Sequence, residues 1–358
     1  MTKRIAMFMT LVLMLSALAG CAGTTVVVGN CTCPTENVSN VTEAPIAVEA
    51  NEATAAEQSA LKTGLAIVAG AEAKEKDGNQ VVTFDVTTVA VTVDANGIIQ
   101  SCIIDSLNPS VTVDAAGAIV SDTAAAIQTK NEKGESYGMK AYAGSKYEWN
   151  EQAAAVAAYA VGKTADELAN GAVDETGHAA DADLATTATI YIGGYVNAIV
   201  EAANNAQELG AATGDSLKFA AIPSLAKSSA ATAEKAGNIQ LDCDVVAMTM
   251  NGDTITSCYI DSLQAKVAVD NAGVVTIGEA FPTKNQLGEN YGMKAWGGAV
   301  AEWNEQAASL AAYVTGKTPA EVAGIAVNEK TAPADADLAA SVTISIGGYQ
   351  ALIAKAAK

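Results

Sequence analysis

The strongest constraint in this chain is that it repeats itself. Tyr137-Gly-Met-Lys140, Glu148-Trp149-Asn-Glu-Gln152 and Gly162-Lys-Thr164 return as Tyr291-Gly-Met-Lys294, Glu302-Trp303-Asn-Glu-Gln306 and Gly316-Lys-Thr318, each 154 residues further on. Upstream, Leu61-Lys62 matches Leu217-Lys218, and Ser101-Cys102-Ile-Ile-Asp105 matches Ser257-Cys258-Tyr-Ile-Asp261, at a spacing of 156. A two-residue insertion or deletion between about Gly117 and Lys130 reconciles the spacings. Two copies of one folded unit follow, and chemistry common to both must use residues present in both.

The N-terminus sets the location. Lys3 and Arg4 precede an apolar run from Ile5 to Leu15 that ends in Leu18-Ala-Gly-Cys21, the layout of a bacterial lipoprotein signal peptide. The run is shorter than the ~18–20 residues that span a bilayer. Cys21 is then the lipidated first residue, and the protein is expected on the extracytoplasmic face of the cell membrane. Residues 21–58, with Pro34 and Pro45 and no regular period, read as a flexible tether. This gives a signal peptide (1–20), tether (21–58), first repeat (59–206), linker (207–215) and second repeat (216–358), each repeat long enough to bury a core.

A formal charge of -20 and a pI near 4.3 argue against nucleic acid as a partner, because that affinity comes from Lys and Arg on phosphates. The single histidine, His178, faces Ala332 in the other copy, so no His-based catalysis or metal site is shared. Cys102 and Cys258 occupy equivalent apolar positions and read as small hydrophobes. Cys243 has no cysteine counterpart, and Cys31 and Cys33 lie in the tether without a zinc-ligand cluster. No duplicated Ser-His or Cys-His set points to a hydrolase.

Within each copy, Val81 to Val86, Val89 to Val93 and Ile98 to Ile104 read as antiparallel strands around the turn Asp94-Ala-Asn-Gly97, and Val111 to Ile119 carries a second Asp/Gly turn. A helix follows, with Trp149, Ala153, Val156 and Ala160 at helical spacing, so Trp149 and Trp303 are expected to face a core. Glu148, Glu151 and Gln152, with their twins, read as a solvated face or a pocket wall. Gly162-Lys-Thr164 is no phosphate loop, since a helix leads into it. Thr164-Ala-Asp-Glu167 and Thr318-Pro-Ala-Glu321 are capping boxes, with Pro319 at the first helical position. The fold class is α+β: two homologous domains, each an antiparallel sheet with packed helices.

The last segment of each copy carries the candidate chemistry. Asp183-Leu-Ala-Thr-Thr-Ala-Thr189 and Asp337-Leu-Ala-Ala-Ser-Val-Thr343 run into Gly193-Gly194 and Gly347-Gly348, which open an apolar helix. From residue 187 to 192 the polar/apolar alternation predicts a half-buried strand, and the glycine pairs a turn whose amides can hold a phosphate. The segment resembles the end of FMN-binding domains of bacterial surface proteins, where an Asp and two hydroxyl residues precede a helix and a separate flavin transferase joins FMN phosphate to the last hydroxyl. The whole chain is also similar to the peptide-pheromone-type surface lipoproteins of Gram-positive bacteria.

That resemblance implies Thr189 and Thr343 as phosphoester anchors and Asp183 and Asp337 as the motif acids. The signatures that hold Tyr137, Trp149, Tyr291 and Trp303 lie outside the resemblance, and with flavin present these aromatics are the candidate stacking walls. The family's Gly is Thr187 or Ser341 here, Ala340 replaces a hydroxyl, and Val342 replaces an Ala. The implied function is a lipid-anchored electron carrier with a membrane redox partner rather than an enzyme. The alternatives are a non-redox surface binding or scaffold lipoprotein that has lost the cofactor, and a precursor whose signal peptide, at Leu13 to Gly20, is released as a pheromone.

Overall fold

The computed structural model describes residues 59–358; the signal-peptide, lipidation and tether expectations, with Cys21, Cys31 and Cys33, lie outside them. The first copy contains strands β1 (Lys62–Lys76), β2 (Asn79–Val93), β3 (Ile99–Leu107) and β4 (Ser110–Val113). Helices α1 (Lys130–Lys133), α2 (Met139–Ala143), α3 (Trp149–Ala160), α4 (Ala165–Gly171), α5 (Ala182–Ala185) and α6 (Gly193–Asn204) follow. The second copy repeats the order with β5 (Ser216–Ser224), β6 (Gly237–Asn251), β7 (Thr254–Val269) and β8 (Val275–Ile277). Its helices are α7 (Lys284–Leu287), α8 (Met293–Gly297), α9 (Trp303–Val314), α10 (Pro319–Ala323), α11 (Ala336–Ala339) and α12 (Gly347–Ala356).

Each copy forms one antiparallel sheet, in the order β1-β2-β3 with β4 also on β2, and β5-β6-β7-β8. β1 and β2 close through Asp77-Gly78, both at positive φ (53° and 78°), the two-residue hairpin turn whose twist suits the strands. Both copies carry a bulge at the same place, between Thr92 and Val93 and between Thr249 and Met250.

Both faces of each sheet are buried. Val89, Val91 and Val93 of β2 pack under α3 and α6, while Val82, Phe84, Val86 and Ala90 point the other way. There they meet Ile239, Leu241, Val245 and Leu263 of the second sheet, whose opposite face packs under α9 and α12. The two sheets therefore lie against each other in a four-layer α/β/β/α arrangement. Each copy has its own sheet-helix core, and the central core is common to both. At about 1.5–3 kcal/mol per fully buried large apolar side chain, that shared core is a major part of the stability of either half.

The halves are related in a two-fold manner that local contacts repeat. A Cβ on Gly117 would stand 2.3 Å from the carbonyl oxygen of Asp270, and one on Gly273 2.5 Å from that of Asp114, so the two Asp/Gly turns pack backbone to backbone. Glu132 of α1 pairs with Lys355 of α12 at 2.5 Å, and on the other side Gln286 of α7 donates to Glu201 of α6 at 2.8 Å. Residues 207–215 run along β1: Leu61 N donates to Ala211 O at 2.8 Å and Gln207 N to Thr63 O at 3.0 Å, which covers that sheet edge.

Two sequence expectations are corrected. Lys62 pairs with Val93 but Lys218 with Met248, so the Leu-Lys match is not a structural equivalence; β5 is displaced by two residues, which keeps each side chain on its face. Residues 187–192 form no strand. No neighbouring strand edge receives their amides: those of Thr187 and Ala188 close the end of α5 on Leu184 O, and the next two bind a side chain.

Candidate functional site

The repeated signatures turn out to be parts of one clamp. Gly138 (φ 86°) takes the left-handed conformation that lets α2 begin, and Glu148, 3% exposed, accepts the amides of Met139 (2.8 Å) and Lys140 (3.1 Å). Glu148 N donates to Glu151, which also receives Lys140 Nζ at 2.7 Å. One turn on, the buried Gln152 donates through Nε2 to Tyr147 O at 3.1 Å. Its Oε1 accepts Thr189 N (2.8 Å), Thr189 Oγ1 (3.2 Å) and Ile190 N (3.1 Å). The second copy repeats this: Glu302 holds Met293 and Lys294, and Gln306 Oε1 accepts Thr343 N (2.8 Å), Thr343 Oγ1 (3.1 Å) and Ile344 N (3.2 Å). The expected solvated face holds for Glu151 and Glu305. Glu148, Gln152 and their twins are buried instead, because the amides they satisfy belong to segments folded over the helix start.

Thr189 and Thr343 are exposed at the same bend of each copy. Asp183 and Asp337 lie exposed in the first turns of α5 and α11, where the capping carboxylates are those of Asp181 and Asp335. Gly193 and Gly347 open α6 and α12, and Gly177 O accepts the amides of Ile192 and Gly193. The thiols are uncharged: burial pushes Cys102 and Cys258 up to about 12 and raises Cys243 further. Among the described residues no group of His, Cys, Asp and Glu is arranged to hold a metal ion, and no helix is long and apolar enough to cross a membrane.

The aromatic candidates gather beside a lysine that sequence reasoning passed over. Lys130, 7% exposed, places Nζ 5.2 Å from the Trp149 ring and 5.4 Å from that of Tyr137; Lys284 stands 4.9 Å from Trp303 and 5.3 Å from Tyr291. Both indoles are 3% exposed. Trp149 packs edge-on against Tyr195, whose hydroxyl accepts its Nε1–H at 3.0 Å, and Trp303 lies 6.3 Å from Tyr349. They are core side chains whose faces are already in use, while Tyr137 and Tyr291 are half-buried at the margin. The signal for the lysines was present: Thr129-Lys-Asn131 recurs as Thr283-Lys-Asn285.

The copies diverge beside those lysines. In the second, Asp244 Oδ1 accepts Ser262 Oγ at 2.7 Å, and Lys227 pairs with Asp242 at 2.8 Å. Burial raises the Asp244 carboxyl, against the Ser262 hydrogen bond and the charge of Lys284; burial lowers the Lys284 ammonium, against the charge of Asp244. A matched pair of cavities lies on the far side of α3 and α9. One of about 290 Å³ is lined by Cys102, Asn131, Asn150 and Ala157, and one of about 540 Å³ by Cys258, Asn285, Asn304 and Ala311, enlarged by Gln207 to Leu209. Asn150 Oδ1 and Asn304 Oδ1 are buried without a partner. Neither cavity reaches the threonine bends.

Compared with known proteins, the chain matches no family model, no curated protein and no solved structure.

Proposed function

We propose that this is a membrane-tethered surface lipoprotein whose two repeats carry FMN on Thr189 and Thr343, serving as an electron carrier rather than an enzyme. The supporting observation is the twinned presentation of the two hydroxyls. Each is exposed, on an irregular bend fixed by one carboxamide oxygen that takes two backbone amides and the hydroxyl proton. That bond leaves the hydroxyl lone pairs free to face solvent, where a transferase has access. Attachment would form a bond between threonine Oγ and the FMN phosphorus as the P–O–P linkage of a pyrophosphate-activated flavin, supplied by a separate transferase, breaks; the other half departs as a monophosphate and the hydroxyl proton is released.

The residues fit the phosphate end of the group: an exposed hydroxyl, and close by in sequence the exposed Gly194 and Gly348 in the first turns of α6 and α12. They do not offer a ready wall for the ring, because Trp149 and Trp303 are buried. The isoalloxazine, when bound, supplies the redox chemistry. Gln152 and Gln306 orient the anchors, and Tyr137 and Tyr291 are the aromatic faces still partly open.

A non-redox binding or scaffold lipoprotein is the second reading, favoured by those buried indoles and by Thr187 and Ser341 in place of the motif glycine. The test is co-expression with a flavin transferase. Flavin absorbance that survives denaturation and disappears in Thr189→Ala plus Thr343→Ala supports the carrier. A colourless protein leaves the binding reading in its place.

A further inference from the structure

The strand register, rather than the sequence spacing, identifies what stands in the first copy where Asp244 stands in the second. Asp244 pairs with Ser262, and Ser106, the counterpart of Ser262, pairs with Thr87. Thr87 therefore replaces the carboxylate, and three consequences are visible. Ser106 is fully buried and its Oγ has no hydrogen-bond partner, whereas Ser262 Oγ donates to Asp244. A Cβ on Gly348 would lie 3.8 Å from Asp244 Oδ2, whereas one on the exposed Gly194 would meet nothing within 4 Å, so no side chain of the first copy reaches α6 as Asp244 reaches α12. Lys130 is more deeply buried than Lys284 and forms no ion pair among the described residues; Asp85, the counterpart of Asp242, is exposed and does not pair with it either.

A lysine whose side chain is mostly buried and has no ion-pair partner, together with a buried hydroxyl that has no hydrogen-bond partner, favours an anion between them. The first turn of α6, a twelve-residue helix, adds favourable partial charge. We propose that the first copy binds a small oxyanion, a carboxylate or phosphate group, in the place that the Asp244 side chain fills in the second. Ser106 Oγ donates to it, Lys130 neutralises it, and Gly194 leaves it room. The site shares Gly194 and the first turn of α6 with the phosphate end of the proposed flavin site, so it is tested on protein expressed without a flavin transferase. The second copy carries its own anion and takes none.

Calorimetric titration of the full chain with inorganic phosphate and, separately, with acetate tests this. One saturable site per chain is expected for at least one of them, and their relative affinity says whether phosphate or carboxylate is the better occupant. Thr87→Asp installs the second copy's carboxylate and should weaken binding by about tenfold or more, while raising Tm in anion-free buffer. Asp244→Thr should add a second site. Absence of saturable binding to both anions, or a Thr87→Asp protein that binds as the parent does, overturns the proposal.

Discussion

The two copies share a scaffold and differ in the charge beside a matched pair of lysines. Both hold a threonine bend with a glutamine, both begin α2 or α8 on a buried glutamate, and both lay a lysine over a tryptophan. Only the second puts a carboxylate beside that lysine. Duplication thus preserved the parts that position backbone and let the part that sets local charge diverge. What is identical in the copies is where a common activity belongs, and what differs is where they have specialised.

The comparison breaks most severely if the halves are separable. Phe84 belongs to the first copy but is buried in the shared core, and Phe84→Ala should cost about 3–5 kcal/mol. Denaturant unfolding should still show one transition, with both copies lost together; two resolved transitions would mean that the halves fold apart. Next in size is the clamp. Gln152→Leu strands two amides and a hydroxyl, for about 1–3 kcal/mol, and amide exchange should accelerate at Thr189 and Ile190 while Thr343 and Ile344 keep their protection.

A pH difference sharpens the comparison further. Burial raises Asp261 to about 6, above its ordinary range, and raises its twin Asp105 in the same direction. The folded state thus holds a proton that the unfolded chain releases. The stability this gives is complete below the unfolded pKa of about 4 and declines as pH rises through about 6, by on the order of 3 kcal/mol. Asp261→Asn should flatten that decline, measured as unfolding free energy between pH 4 and 7. The smallest effect is at the caps: Thr164→Ala and Thr318→Ala each remove a capping box and should cost about 1 kcal/mol in thermal melts.

Much of this was legible in the chain. The duplication, the Asp/Gly turns at Gly97 and Gly117, the capping boxes at Thr164 and Thr318 and the helical burial of Trp149 are local signals, and each appears in the structure. The central core was not legible, because a strand buried on both faces gives the same apolar run whether a helix or a second sheet covers it. The bend at Thr189 looked like a strand because its alternation is real, but a side chain, Gln152, takes the amides that a strand would have offered to a neighbour. The match of Thr87 to Asp244 was hidden by one residue: five residues separate Val93 from Ile99 and four separate Met250 from Ile255, so spacing counted from the motifs points to Thr88.

The claim that the two threonine bends are attachment points is tested most directly by the intact mass of the chain purified after co-expression with a competent flavin transferase. Two additions of FMN, mapped by peptide sequencing to Thr189 and Thr343, are expected. An unmodified mass, or an addition on any other residue, would contradict it.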